Sequence, residues 1–291
     1  PFVGHGAIRL AAMGLDYKRK ATEAELEEMR GLVGEAMEAG AFGMSTGRDY
    51  PPQDYADADE VVELAKVAKN YGGFYFTHYG GLNANGLKEA AEIGRKTGVP
   101  VHISHLVSAF SVKSFKSTRD AVSPKVPETL LESAAYETLN VVDRYIKENI
   151  ITSFDVILSP VGATDYLALS LRPWLEWAVS RKKLAECLKI QDFRKELKEA
   201  INTGKWLPLG WFCIRIVLCK NEGYVGRTVA EIAEEKNESE LDTLLNIVIE
   251  DPDTRAEYSF RDERQIKTLI NHPYAMPSTD KIIPIYGSWK R

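Results

Sequence analysis

The chain has 291 residues, with 37 Lys and Arg against 42 Asp and Glu, a net charge of −5, and 44% hydrophobic residues. That is enough apolar material for a sizeable core and excludes a disordered chain; a pI of 5.7 without a dense basic stripe argues against nucleic acid as a partner. No run of about 18 apolar residues is present to span a membrane and no signal segment opens the chain. The three cysteines, Cys187, Cys213 and Cys219, are too few for a disulfide framework, so a cytoplasmic protein is expected.

In chain order, Thr22 and Glu25 form a capping-box pattern, and Leu26, Met29, Val33, Ala36 and Met37 follow at helical spacing. Gly40 ends that helix, and residues 41–47 read as a short buried strand. Asp57 to Glu60 opens a second helix with Val61, Leu64, Ala65 and Ala68 on one face, stopped by Gly72 and Gly73. Residues 74–78 are the next strand, residues 86–97 a third helix with Gly98 behind it, and residues 99–105 a further strand. A fourth helix is expected over residues 128–148 and a strand over 150–157.

The ends of these strands recur about thirty residues apart, the length of a strand–helix unit, which predicts a parallel sheet with crossover helices. Polar residues stand at the strand ends: Ser45 and Thr46, His78, His105 and Asp155. In a closed parallel barrel those ends share one mouth, where active sites lie. No Gly-x-Gly-x-x-Gly follows the first strand, so a (β/α)8 TIM-type barrel is expected over an open doubly wound sheet. From about residue 160 to 265 the rhythm breaks, with four tryptophans (Trp174, Trp177, Trp206, Trp211), a strand over 213–219, a helix capped by Thr228 and Glu231, and another over 241–249. This segment reads as an insertion. Residues 274–276 are the last strand candidate, leading to Asp280.

The five histidines are His5, His78, His102, His105 and His272. On a regular strand His102 and His105 face opposite ways and cannot share a metal. His78 and His105, at the ends of successive strands, can face one cavity, and two imidazoles suit a zinc-type ion; they also read as satisfied polar core residues. No third histidine is evident. Asp280 is either a general base or a turn and N-cap residue. Cys213 and Cys219 are expected to be small core residues. Gly43-Met-Ser-Thr-Gly47 matches a nucleophile elbow only loosely, and no Asp and His follow in the triad order.

Several motifs in order resemble the D-aminoacylase (N-acyl-D-amino-acid deacylase) family: Gly4 to Arg9, Met13-Gly14, Gly43 to Gly47 with Tyr50 and Pro51-Pro52, and Thr77-His78. The series continues with Ile103 to Leu106, Asp155-Val156, Tyr224 to Thr228 with Ile232 to Glu234, His272-Pro273 leading to Asp280, and Tyr286-Gly287 with Trp289 and Arg291. The resemblance implies a metal-dependent amidohydrolase barrel. In it His78 and His105 hold the catalytic Zn2+, Asp280 is the proton shuttle, and Ser45, Thr46 and Tyr50 line a pocket for a small-molecule amide. The family's His-x-His and its zinc-holding cysteine are not found in the sequence. The chain, which opens at Pro1, therefore resembles a barrel domain (1–291) incomplete at both ends, expected to have little or no hydrolase activity alone. Val107 stands where the family commonly has Lys, Gly80 where it often has Arg, and Ile157-Leu-Ser159 replaces a Tyr-Pro-Tyr. Those residues handle the substrate carboxylate in the family. Three readings follow: hydrolysis of a linear N-acyl (D-)amino acid, hydrolysis of a cyclic amide of the dihydroorotase or hydantoinase type, or a non-catalytic truncated barrel.

Overall fold

A computed structural model describes residues 1–80, 84–108, 128–159, 161–174, 180–203, 214–259 and 262–279. The chain opens with β1 (Val3–Gly4) and α1 (His5–Met13), neither of which was expected from the sequence. A two-residue strand has no period to read, and α1 starts at Gly4 with no side-chain cap. In α2 (Glu23–Glu38) the Thr22–Glu25 capping box is formed in both directions, and Met29, Val33 and Met37 are buried. Then come β2 (Gly43–Gly47), α3 (Ala58–Asn70) capped by Asp57, β3 (Phe74–His78), α4 (Ala84–Thr97), β4 (Val101–Ile103), α5 (Glu128–Lys147) and β5 (Ile151–Ile157).

Residues 159–262 form a second compact unit in the stretch read as an insertion. A three-stranded antiparallel sheet runs in the order β6 (Val161–Tyr166), β8 (Arg255–Ser259), β7 (Ile214–Leu218). Its helices are α6 (Arg181–Leu188), α7 (Gln191–Thr203), α8 (Val229–Lys236) and α9 (Glu240–Glu250). Leu184, Leu188, Leu197, Ile214, Ile216, Leu244 and Val248 are among its core residues. Asp242 on α9 ties down Arg194 and Lys198 of α7 at 2.7–2.9 Å, and these cations hold its carboxyl well below the usual range against the opposing effect of burial. Cys219 is buried, whereas Cys213 lies outside the described residues.

The chain then returns to the first unit with α10 (Glu263–Ile270) and β9 (Ala275–Ser278). The first sheet has six strands, all parallel, in the order β1-β2-β3-β4-β5-β9. Each strand is added beside the last in the same direction, and nowhere does the order reverse. Since crossovers are right-handed, winding in one direction puts every crossover helix on the same face. A doubly wound sheet reverses and has helices on both faces. The molecule therefore has the winding of a partial (β/α) barrel.

The alternation of side chains along each strand divides the sheet into two faces. Met44, Tyr75, Val101, Ile103, Phe154 and Val156 pack with the helices in one hydrophobic core. Ser45, Gly47, Phe76, His78, His102, Ser153 and Asp155 point the other way, as the register pairs Ser45 with Phe76, Gly47 with His78 and Phe76 with His102.

Candidate metal centre

His78 is the last residue of β3, and His105 lies two residues beyond the end of β4. The expected strand over 99–105 stops at Ile103, and His105 turns into the left-handed region with φ 37°. Strand alternation therefore does not govern it. The turn brings its Nε2 to 2.9 Å from Nδ1 of His78, with the two rings nearly edge to face. His105 is buried, and 15% of the His78 side chain remains exposed.

The other nitrogen of His78, Nε2, donates to Asp49 Oδ2 at 3.3 Å, because a carboxylate can only accept. That fixes the tautomer and leaves the Nδ1 lone pair facing His105. Asp49 and Tyr50 sit on the loop after β2, and the Tyr50 ring lies 4.9 Å from the His78 ring. The loop is anchored by Arg48, whose guanidinium donates to Gln53 and Ala56 carbonyls and pairs with Glu89, while its backbone N–H reaches the His78 carbonyl. Ser45 lies on the His78 face of the sheet. Thr46 does not: it is buried on the helix-covered face, 2.9 Å from both the Tyr75 hydroxyl and Thr77 Oγ1, so the pocket role expected of it does not fit its place.

Asp155 is buried in β5, two residues before its end. Its Oδ2 accepts from His102 Nε2 at 3.0 Å, and its Oδ1 accepts from the His105 backbone N–H at 2.9 Å and from the Ser278 hydroxyl. Burial pushes the carboxyl up, but these three hydrogen bonds prevail and hold it below the usual carboxylate range. His102 accepts from Ser153 at 2.8 Å through Nδ1 and stacks on Phe76 at 4.4 Å, so both of its nitrogens are engaged away from His78. His272 bonds Asp143 of α5 at 2.9 Å. His5 bonds Glu60 at 2.7 Å, deep in the core beside Arg9. Asp280 lies outside the described residues.

Two nitrogens held by one tetrahedral zinc at about 2.0–2.1 Å stand about 3.3 Å apart. The His78–His105 pair is close to that separation: the His78 Nδ1 lone pair accepts from His105 Nε2–H, a proton that zinc would replace once His105 carries its hydrogen on Nδ1, and a carboxylate lies behind the His78 ring, the arrangement that orients metal-bound histidines. It fits zinc as two of its ligands. Among the described residues no group of three His, Cys, Asp or Glu converges on one point. Asp49 was not singled out in the sequence; the signal that could have found it is its position in the loop leaving a strand end, next to Tyr50. The positions that depart from the family are buried and apolar at Val107 and Ile157, and the Val107 N–H donates to the Tyr79 hydroxyl at 3.1 Å.

A parallel sheet wound one way, with polar side chains meeting at adjacent strand ends, is the architecture of (β/α)-barrel enzymes. No family model matches the chain. The D-aminoacylase of Alcaligenes xylosoxydans xylosoxydans is 43% identical over 106 residues, which are 35% of this chain and 22% of that protein. A crystal structure of D-aminoacylase, described as defining a novel subset of amidohydrolases, aligns with a TM-score of 0.61 at 25% identity over 95% of this chain and 46% of that one. N-acyl-D-glutamate deacylase from Bordetella bronchiseptica, solved with zinc and a phosphonate mimic of the tetrahedral intermediate, aligns at 0.63 with 23% identity, covering 96% of this chain and 47% of that one. The resemblance to the D-aminoacylases is thus borne out, and the chain spans about half the length of the solved structures it matches.

Proposed function

We propose that these residues carry two zinc ligands of an amidohydrolase that cleaves the linear amide of an N-acyl-D-amino acid. The observation that carries this reading is the 2.9 Å approach of His78 Nδ1 and His105 Nε2 at the ends of neighbouring parallel strands. Bound zinc supplies a Lewis acid for the amide carbonyl and lowers the pKa of water toward about 7. His78 and His105 would hold it through those two nitrogens, and Asp49 would keep the His78 ring in the ligating tautomer. Ser45 and Tyr50, on the same side as the pair, line the approach. Asp280, two residues after β9 in the sequence, would take a proton from water and deliver it to the leaving nitrogen.

The test is turnover by the polypeptide in which these 291 residues naturally occur. Zinc-dependent release of free amine from N-acyl-D-amino acids, abolished by His105→Ala, is the expected result. Turnover confined to cyclic amides, or none with zinc fully bound, overturns the reading.

A further inference from the structure

The turn at His105 is an uncommon piece of backbone for a residue with a side chain. A φ of 37° at a residue with a side chain is held only where the surroundings determine it. Asp155 supplies that constraint at two successive amides. Its Oδ1 accepts the His105 N–H at 2.9 Å, and its backbone carbonyl accepts the Leu106 N–H at 2.7 Å. The carboxylate is in turn fixed from both sides, by His102 of β4 at 3.0 Å and by Ser278 of β9. One buried carboxylate therefore joins three neighbouring strands, and its bond to His105 is made through the main chain.

Resting on the zinc reading above, we infer that Asp155 is a positioning residue: it sets the left-handed turn that aims His105 Nε2 at His78 Nδ1. It is not itself a ligand in this arrangement, because both of its oxygens are engaged by protein donors. Partners of this kind behind a metal ligand typically govern 10–100-fold in metal affinity.

The experiment compares Asp155→Ala, Asp155→Asn and His105→Ala with the natural protein. It measures zinc affinity by chelator competition, the visible spectrum of the Co2+-substituted protein, and thermal unfolding. Asp155→Ala is expected to bind zinc at least about tenfold more weakly and to shift the cobalt bands, which report ligand geometry. In Asp155→Asn an amide oxygen still accepts the His105 N–H, though more weakly than a carboxylate, so affinity is expected to fall only about three- to tenfold. A purely structural role predicts a lower unfolding temperature with unchanged affinity and spectrum. His105→Ala separates the two claims. Wild-type zinc affinity in that variant overturns the zinc reading itself. Loss of zinc there, with wild-type affinity and cobalt spectrum in folded Asp155→Asn, overturns the role of Asp155 alone, and this holds even if the alanine variant fails to fold.

Discussion

At His78 the two ring nitrogens have different neighbours, and that difference has a consequence. Asp49 holds the Nε2 proton, so Nδ1 is the nitrogen left for a metal. Asp49→Ala is expected to weaken zinc binding about tenfold with the fold intact, checked by chelator competition; unchanged affinity counts against the assignment. Asp280→Asn is expected to keep zinc while kcat falls about 10²–10⁴-fold, since an amide cannot take a proton at neutral pH. A cap or turn role predicts a near-normal rate, because Asn also caps well. Outside the site, His5, Arg9 and Glu60 form a buried cluster that faces Arg48. Burial, joined by the Arg48 and Arg9 charges, lowers the His5 pKa from its ordinary 6.5 despite Glu60. Burial raises Glu60, but its hydrogen bonds from His5 and Arg9 outweigh that and hold it below 4.5. In both cases the unfolded chain binds the proton more readily than the folded one. Stability should therefore fall as pH drops below about 6.5, and again below about 4.5. The decline between pH 7.5 and 5 should be shallower in His5→Asn; equal slopes of Tm against pH would contradict this.

At the scale of elements, the caps and periods in the sequence marked most boundaries of the first unit. Thr22 with Glu25 and Asp57 begin helices where expected because a side-chain oxygen there meets an orphan N–H. What the period could not show is the end of β4. Residues 99–105 alternate plausibly to the last, yet the backbone leaves the strand at Ile103 because Asp155, distant in sequence, captures the His105 amide. The two-residue β1 was illegible for the opposite reason, having too few residues to carry a pattern. Thr46 was misplaced because a polar residue near a strand end looks the same on either face, and only the register against Tyr75 and Thr77 puts it inward. Gly43 marks another constraint of this kind. Its φ is 153°, and a Cβ there would lie 2.0 Å from the Phe74 carbonyl oxygen. Gly43→Ala should cost about 3 kcal/mol by denaturant unfolding, as β2 and β3 would have to separate.

For the molecule as a whole, the spacing of strand ends pointed to a parallel sheet, and the strand order shows that it winds one way. That winding puts the C-terminal ends of β3 and β4 side by side and makes the His78–His105 pair possible. The pair could be anticipated from two histidines at matched positions. The roles of its supports could not: Asp155 stood out only as a polar strand-end residue and Asp49 not at all, because both act through contacts across 50 and 29 residues of sequence. The change of rhythm near residue 160 corresponds to a unit with its own antiparallel sheet and core. The central claim is that His78 and His105 hold one zinc ion together. Metal analysis of purified His78→Ala and His105→Ala proteins tests it most directly. The account predicts that each variant, folded by circular dichroism, loses the bound zinc of the natural protein; full zinc occupancy with either imidazole gone would contradict it.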